Sequence, residues 1–255
     1  MTGPHAALLV VAGLAAGISN GVAGGGTLLS FPALLAVGYP AITANVTSTV
    51  GLWPSTLGGS AGFRRELTTQ GKRVRALVPA ACAGGLIGSI LLLTTPASAF
   101  RSVVPYLILA ACALFASQPL IARTLRRVRG ETEGDPKTHT PWTAFAGTLV
   151  AAIYGGYFGA GLGIILLAVL GTVLHDALHR INGLRTILAM AVNLIALLVF
   201  VFAAHVAWSA AGLLAVTSGV GGYTGARLSR RLPAWVLRIV VVAFGLAAAI
   251  RLLIA

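Results

Sequence analysis

The stretch SNGVAGGGTLLSFP (residues 19–32) sets three consecutive glycines, Gly24, Gly25 and Gly26, between two apolar runs near the start of the chain. Glycine in a helix interior is about 1 kcal/mol less favourable than alanine. Its placement here decides between a bundle of plain spanning helices and one whose helices are interrupted.

The surrounding composition fixes the setting. Of 255 residues, 57% are hydrophobic and 9% charged, with mean hydropathy +0.93. Soluble domains carry about 25% charged residues. The chain therefore reads as an all-α polytopic membrane protein with almost no mass outside the bilayer. The opening MTGPH has no Lys or Arg, so a first spanning segment is expected there in place of a cleavable signal. The formal net charge of +13 could attract nucleic acid. The basic residues instead sit in short loops beside apolar segments, so the expected partner is the lipid bilayer and no nucleic acid. Cys82 and Cys112 lie in apolar runs without metal-like spacing and read as buried thiols.

Apolar windows fall at 6–22, 27–38, 43–62, 76–94, 102–122, 142–158, 162–174, 183–203, 207–226 and 235–254. Two of them, 27–38 and 162–174, would reach only roughly 20 Å as helices. Each follows glycines: 24–26 in one case, and Gly159, Gly161 and Gly163 in the other. Of the 18 Lys and Arg, 16 fall on one side of the resulting path, in 64–75, 123–137, 175–185, 227–231 and at Arg238. Only Arg101 and Arg251 fall on the other. This bias predicts cytoplasmic basic loops and both termini outside.

The chain also looks duplicated. Gly21, Gly24 and Gly26 recur as Gly156, Gly159 and Gly161, each 135 residues on, and Gly85 and Gly88 recur as Gly222 and Gly225, 137 residues on. The expected organisation is a first transmembrane repeat (1–125), a cytoplasmic linker (126–141) and a second repeat (142–255), all in one membrane domain. Five windows per half would invert the second copy. The charge agrees: the loop after the third window is basic in the first half and uncharged in the second, and the loop after the fourth shows the reverse. The predicted fold is thus two inverted-topology repeats, with about eight full transmembrane helices plus two short glycine-broken segments.

Paired glycine breaks in inverted halves point to a transporter site near the midplane. A break frees backbone N–H groups at the start of the next half-helix, where the positive dipole end favours an anion. Gly24, Gly25, Gly26, Gly159 and Gly161 are the candidate amide donors, with Thr27 beside them. Asn20 precedes the first break. Asn45, Thr47 and Ser48 open the third window, and Asn182, Arg185 and Thr186 open the eighth. These are the candidate substrate contacts. Arg185, inside an apolar run, suits an oxyanion through its planar fork, or else snorkels to the cytoplasm. The glycines could equally serve close helix packing. The five acids, Glu66, Glu131, Glu133, Asp135 and Asp176, all fall in predicted loops, which disfavours a carboxylate proton relay or cation site. His175 and His179 are spaced for a metal on a helix, but no further ligand supports one, and a cytoplasmic turn is expected. No catalytic set, metal site or cofactor is expected. Pro54 should kink the helix of the third window.

Several of these stretches together resemble the sulfite exporter TauE/SafE family of bacterial membrane transporters. They are GISNGVAGGGTLLSFPALLAVGYP, ITANVTSTVG, YGGYFGAGLGIILLAVL, HRINGLRTILAMAVNLIALLVF and GGYTGARLSRRLP. The likeness covers nearly the whole chain outside the linker. It implies a multi-pass transporter of the bacterial inner membrane that moves a small anionic substrate, often sulfur-containing: sulfite, a sulfonate, sulfoacetate or a related organic acid. In the second half GAGLG replaces the fuller glycine run common in the family, and Leu167 stands where a proline is common. A membrane enzyme and a non-transporting assembly protein are the alternatives. Glycine-rich helix faces would also suit a homodimer.

Overall fold

The computed structural model describes residues 3–22, 24–61, 70–129, 141–174, 176–228 and 234–254. Arg64, Arg65, Glu66, Glu131, Glu133, Asp135, His175, Arg230 and Arg231 lie outside the described residues.

The described residues form ten α-helices and no strands: α1 (Gly3–Val22), α2 (Thr27–Val37), α3 (Ala41–Ala61), α4 (Gly71–Thr94) and α5 (Ala97–Arg129), then α6 (Trp142–Tyr157), α7 (Leu162–Val173), α8 (Leu178–Ala203), α9 (Trp208–Leu228) and α10 (Ala234–Ile254). Among the described residues five stretches are long and apolar enough to cross a membrane: Gly3–Asn20, Gly71–Thr94, Ala97–Leu125, His179–Ala203 and Leu237–Ile254. The helices α3 and α9 have 21 residues each, about 31 Å. Hydroxyl residues such as Thr47, Ser48, Thr49, Ser55 and Thr56 dilute the apolarity of α3.

The helices outrun the apolar windows at two basic ends. The basic residues Lys72, Arg73 and Arg75 lie inside the start of α4, and Arg126 to Arg129 continue α5, where the sequence reading placed the linker. Arg and Lys are good helix formers, so a spanning helix propagates past its apolar part. The short windows remain short, with 11 residues in α2 and 12 in α7.

Glycine governs how the long helices meet. α1 packs along α9, and α4 along α6. A Cβ on Gly17 would collide with Ser218, and one on Gly221 with Leu14, across the α1–α9 seam. Across the α4–α6 seam, Gly88 would collide with Ile153, and Gly156 with Gly85. Small residues at a crossing let the backbones approach and gain dispersion contact, which is the driving force left when lipid is as apolar as the side chains. Gly156, which stands for Gly21 in the repeat, is one of these packing glycines.

Two apolar cores result. One joins Leu9, Phe31, Leu34, Phe100, Phe115, Phe158 and Phe200 around α2, and the other joins Leu77, Leu166, Leu170, Leu184 and Leu188 around α7. The short helices therefore lie inside the bundle. α1, α3 and α10 pack on α2, and α5, α6 and α8 pack on α7.

Candidate functional site

Both helix interruptions consist of left-handed glycines. Gly24 and Gly25 have φ of 74° and 108°, and Gly159 and Gly161 have φ of 78° and 80°. L-residues reach this region only with strain, so the chain turns there because glycine permits it.

Each break is braced differently. In the first, the Gly26 N–H donates to Asn20 Oδ1 at 2.8 Å, and Asn20 Nδ2 donates to Ser55 Oγ at 2.9 Å. In the second, the Tyr154 hydroxyl donates to the Ala160 carbonyl at 2.7 Å. The first-turn amides of a helix have no partner within the helix. No partner among the described residues is found for the amides of Gly25 and Thr27, nor for those of Gly161 and Gly163.

All four of those residues line one cavity of about 140 Å³. Its walls are the two breaks and one face each of α3 and α8. α3 contributes Thr49, Leu52, Trp53 and Thr56, and α8 contributes Thr186, Ala189, Met190 and Asn193. Within each helix the spacing is i, i+3, i+4, i+7, a single stripe. Each α3 position precedes its α8 counterpart by 137 residues.

Arg185 is the charged residue among those lining the cavity. Its Nη1 donates to the Gly163 carbonyl at 3.0 Å, which engages one of five donors. It has no carboxylate partner among the described residues. The indole Nε1 of Trp53, another wall residue, is buried without a hydrogen-bond partner among the described residues. Backbone amides, hydroxyls, carboxamides and one guanidinium make the wall rich in donors, and Leu52, Trp53, Leu162 and Met190 make part of it apolar. Such a wall suits an anion better than a cation.

The structure sorts the thirteen sequence-predicted positions. Asn20, Gly24, Gly25, Thr27, Gly159, Gly161, Arg185 and Thr186 line the cavity. The other five lie outside its wall. Gly26 caps α2 and is held by Asn20. Asn45 Nδ2 donates to the Tyr157 carbonyl at 2.9 Å, Thr47 Oγ1 accepts the Ala207 N–H at 3.1 Å, and Ser48 shares a 2.6 Å hydrogen bond with Ser30. These three are buried between helices. The Asn182 carbonyl accepts from the Thr186 hydroxyl at 2.8 Å. The candidate list omitted Thr49, Trp53, Thr56, Gly163 and Asn193. For Thr49, Trp53, Thr56 and Asn193 the signal that could have found them was the i, i+3, i+4, i+7 stripe, and for Gly163 its place in the second glycine cluster.

Of the histidine pair, only His179 lies among the described residues. α8 begins at Leu178, and His179 is exposed in its first turn. Asp176, expected on an open turn, is 4% exposed and pairs with Arg73 and Arg180.

The family comparison fits this architecture. The family model for the sulfite exporter TauE/SafE matches residues 9–252. The chain belongs to the TauE/SafE family. Its relatives include a probable membrane transporter protein, ORF9, of a Sinorhizobium species, 27% identical over 97% of this chain and 92% of the relative. A probable membrane transporter protein of Haemophilus influenzae is 25% identical over 87% and 84%. The probable membrane transporter protein YfcA of Escherichia coli K12 is 24% identical over 88% and 79%. No solved structure matches the chain. Family membership and the long apolar helices together make this TauE/SafE chain a multi-pass membrane protein.

Proposed function

We propose that this protein is a secondary transporter that carries a small anion across the bacterial inner membrane by alternating access and is not an enzyme. The favoured substrate class is a sulfur oxyanion or sulfonate, or a related organic acid. The observation that carries the reading is the cavity itself: two glycine breaks whose first-turn amides find no partner among the described residues, and Arg185, with no carboxylate among them either, converge on one space. A donor-lined pocket with one guanidinium favours negative charge.

The two halves, 1–125 and 142–255, act in this reading as inverted repeats around that space. Support comes from the packing. Moving five helices along the chain carries α1 on α2 into α6 on α7, and α2 on α3 into α7 on α8. The same step carries α3 on α9 into α8 on α4, and α1 on α9 into α6 on α4. The fourth helix of each half thus packs on the opposite half. The matched stripes on α3 and α8 follow the same relation. Eight helices cross fully, α2 and α7 serve as half-helices, the basic loops face the cytoplasm and both termini lie outside.

The test is thermal unfolding of the purified protein in detergent with sulfite, thiosulfate, sulfate, sulfoacetate, acetate and chloride. A ligand at about 100 times its Kd adds about 2.7 kcal/mol of stability. A shift with one sulfur anion, lost in Arg185→Ala, supports the reading. No shift with any anion at high concentration removes the anion site.

A further inference from the structure

Beyond the cavity, the described residues hold a buried cluster of charge. Arg73, near the start of α4, pairs with Asp176 in the α7–α8 connection, and the two side chains are 4% and 0% exposed. Arg180 Nη1 lies 3.5 Å from the other Asp176 oxygen. Gln70, just before α4, donates from Nε2 to the Arg180 carbonyl at 2.9 Å. The cluster fastens α4 to the second half of the chain. Arg180 is five residues before Arg185 on α8, about 7.5 Å along the helix axis from the cavity wall.

The corresponding positions 137 residues away carry no charge. Tyr39 stands for Asp176, Thr43 for Arg180, Ala210 for Arg73 and Ala207 for Gln70. There the contact is neutral, with the Ala207 N–H on Thr47 Oγ1. A neutral contact evidently suffices to join helices at such a place. Buried ion pairs give little net stability over apolar packing, because desolvation offsets the attraction. What charge adds is a second comfortable state: held together when dry, and well hydrated when water enters.

We infer that Arg73, Asp176 and Arg180 form a gate that closes the cavity on the α7–α8 face and parts when the cavity opens there. The inference rests on the alternating-access reading above. It makes the two faces unequal: one is shut by an ionic cluster and the other by neutral packing. Weakening the cluster then shifts the population toward the state open on the α7–α8 face.

The test measures access to the cavity from each face. In a background with Cys82→Ser and Cys112→Ala, the wall position Ala189→Cys is labelled with an anionic, membrane-impermeant thiol reagent. Sealed vesicles expose one face or the other. Asp176→Asn is expected to raise labelling from the α7–α8 face, relative to the opposite face, about tenfold. Arg180→Gln should raise it less, and Asp176→Glu should stay near the unsubstituted ratio. If Asp176→Asn fails to fold, Arg180→Gln decides the matter. An unchanged ratio in the folded variants overturns the gate, because a purely structural pin would lower stability without changing sidedness. Anion flux by the unsubstituted protein is measured in parallel. Flux with an unchanged ratio overturns the gate alone. A shifted ratio with no flux of any anion overturns the transport reading on which the gate rests.

Discussion

The Gly26 amide donates to the side-chain oxygen of Asn20 at 2.8 Å, so the last turn of α1 holds the first turn of α2 across the glycine break. Asn20 is both a wall residue of the cavity and the brace of that wall. Its other end donates to Ser55 Oγ, which donates in turn to the Leu52 carbonyl. Asn20→Leu should therefore lower stability by about 1–3 kcal/mol, the cost of leaving a buried amide unpaired. Thermal unfolding would show it. Asn20→Asp can still accept from Gly26 but adds a negative charge to the wall. It should weaken anion binding more than it lowers the melting temperature, and equal losses in the two would mean Asn20 acts through folding alone.

Gly24 and Gly26 predict losses of different size and origin from one substitution. A Cβ at Gly24 meets nothing within 4 Å, but its φ of 74° is strained for alanine. Gly24→Ala should cost about 1–2 kcal/mol of stability. Gly26 has an ordinary φ of −56°, yet a Cβ there would lie 2.5 Å from the Ala16 carbonyl and 2.9 Å from the Asn20 carboxamide. Gly26→Ala should push α1 from α2, break the brace and cost more than Gly24→Ala. Denaturation of both variants in the same detergent checks the order.

Tyr154 braces the second break through one hydroxyl. Tyr154→Phe keeps the ring and removes the bond to the Ala160 carbonyl. A loss of about 0.5–1.5 kcal/mol is expected. A stability equal to the unsubstituted protein would show that the Ala160 carbonyl finds another donor.

Arg185 separates charge from shape. Arg185→Lys keeps the charge and loses the planar fork, while Arg185→Gln loses the charge. Removing a charged hydrogen bond costs about 1.5–3 kcal/mol, roughly a 10- to 150-fold loss of anion affinity for Arg185→Gln. Arg185→Lys should fall between Arg185→Gln and the unsubstituted protein. Titration of an anion that stabilises the unsubstituted protein would rank the three, and equal affinity across them would exclude Arg185 from the site.

The short helices were legible because length and glycine are local properties. The windows at 27–38 and 162–174 are too short to span, and the glycines before them have few other uses in succession. The helices α2 and α7 start within that frame, at Thr27 and Leu162. The direction of a helix face is not local. Asn45, Thr47 and Ser48 drew notice because they cluster, yet they bond Tyr157, Ala207 and Ser30. The cavity-facing stripe starts one residue later, at Thr49. Asp176 lies in a loop as its sequence reads, but its burial against Arg73 is hidden in the sequence because that partner is 103 residues away. Gly156 and Gly159 looked alike in sequence, but one meets Gly85 across a helix seam and the other turns the chain. Only the neighbour distinguishes them.

The most direct measurement is anion flux in proteoliposomes, with the protein at known density and sulfite, thiosulfate, sulfate, sulfoacetate and acetate offered in turn. The account predicts flux above protein-free vesicles for at least one sulfur anion, and its loss in Arg185→Gln that still melts cooperatively. No flux of any of these anions by the folded protein, in either direction and under either sign of membrane potential, would contradict it.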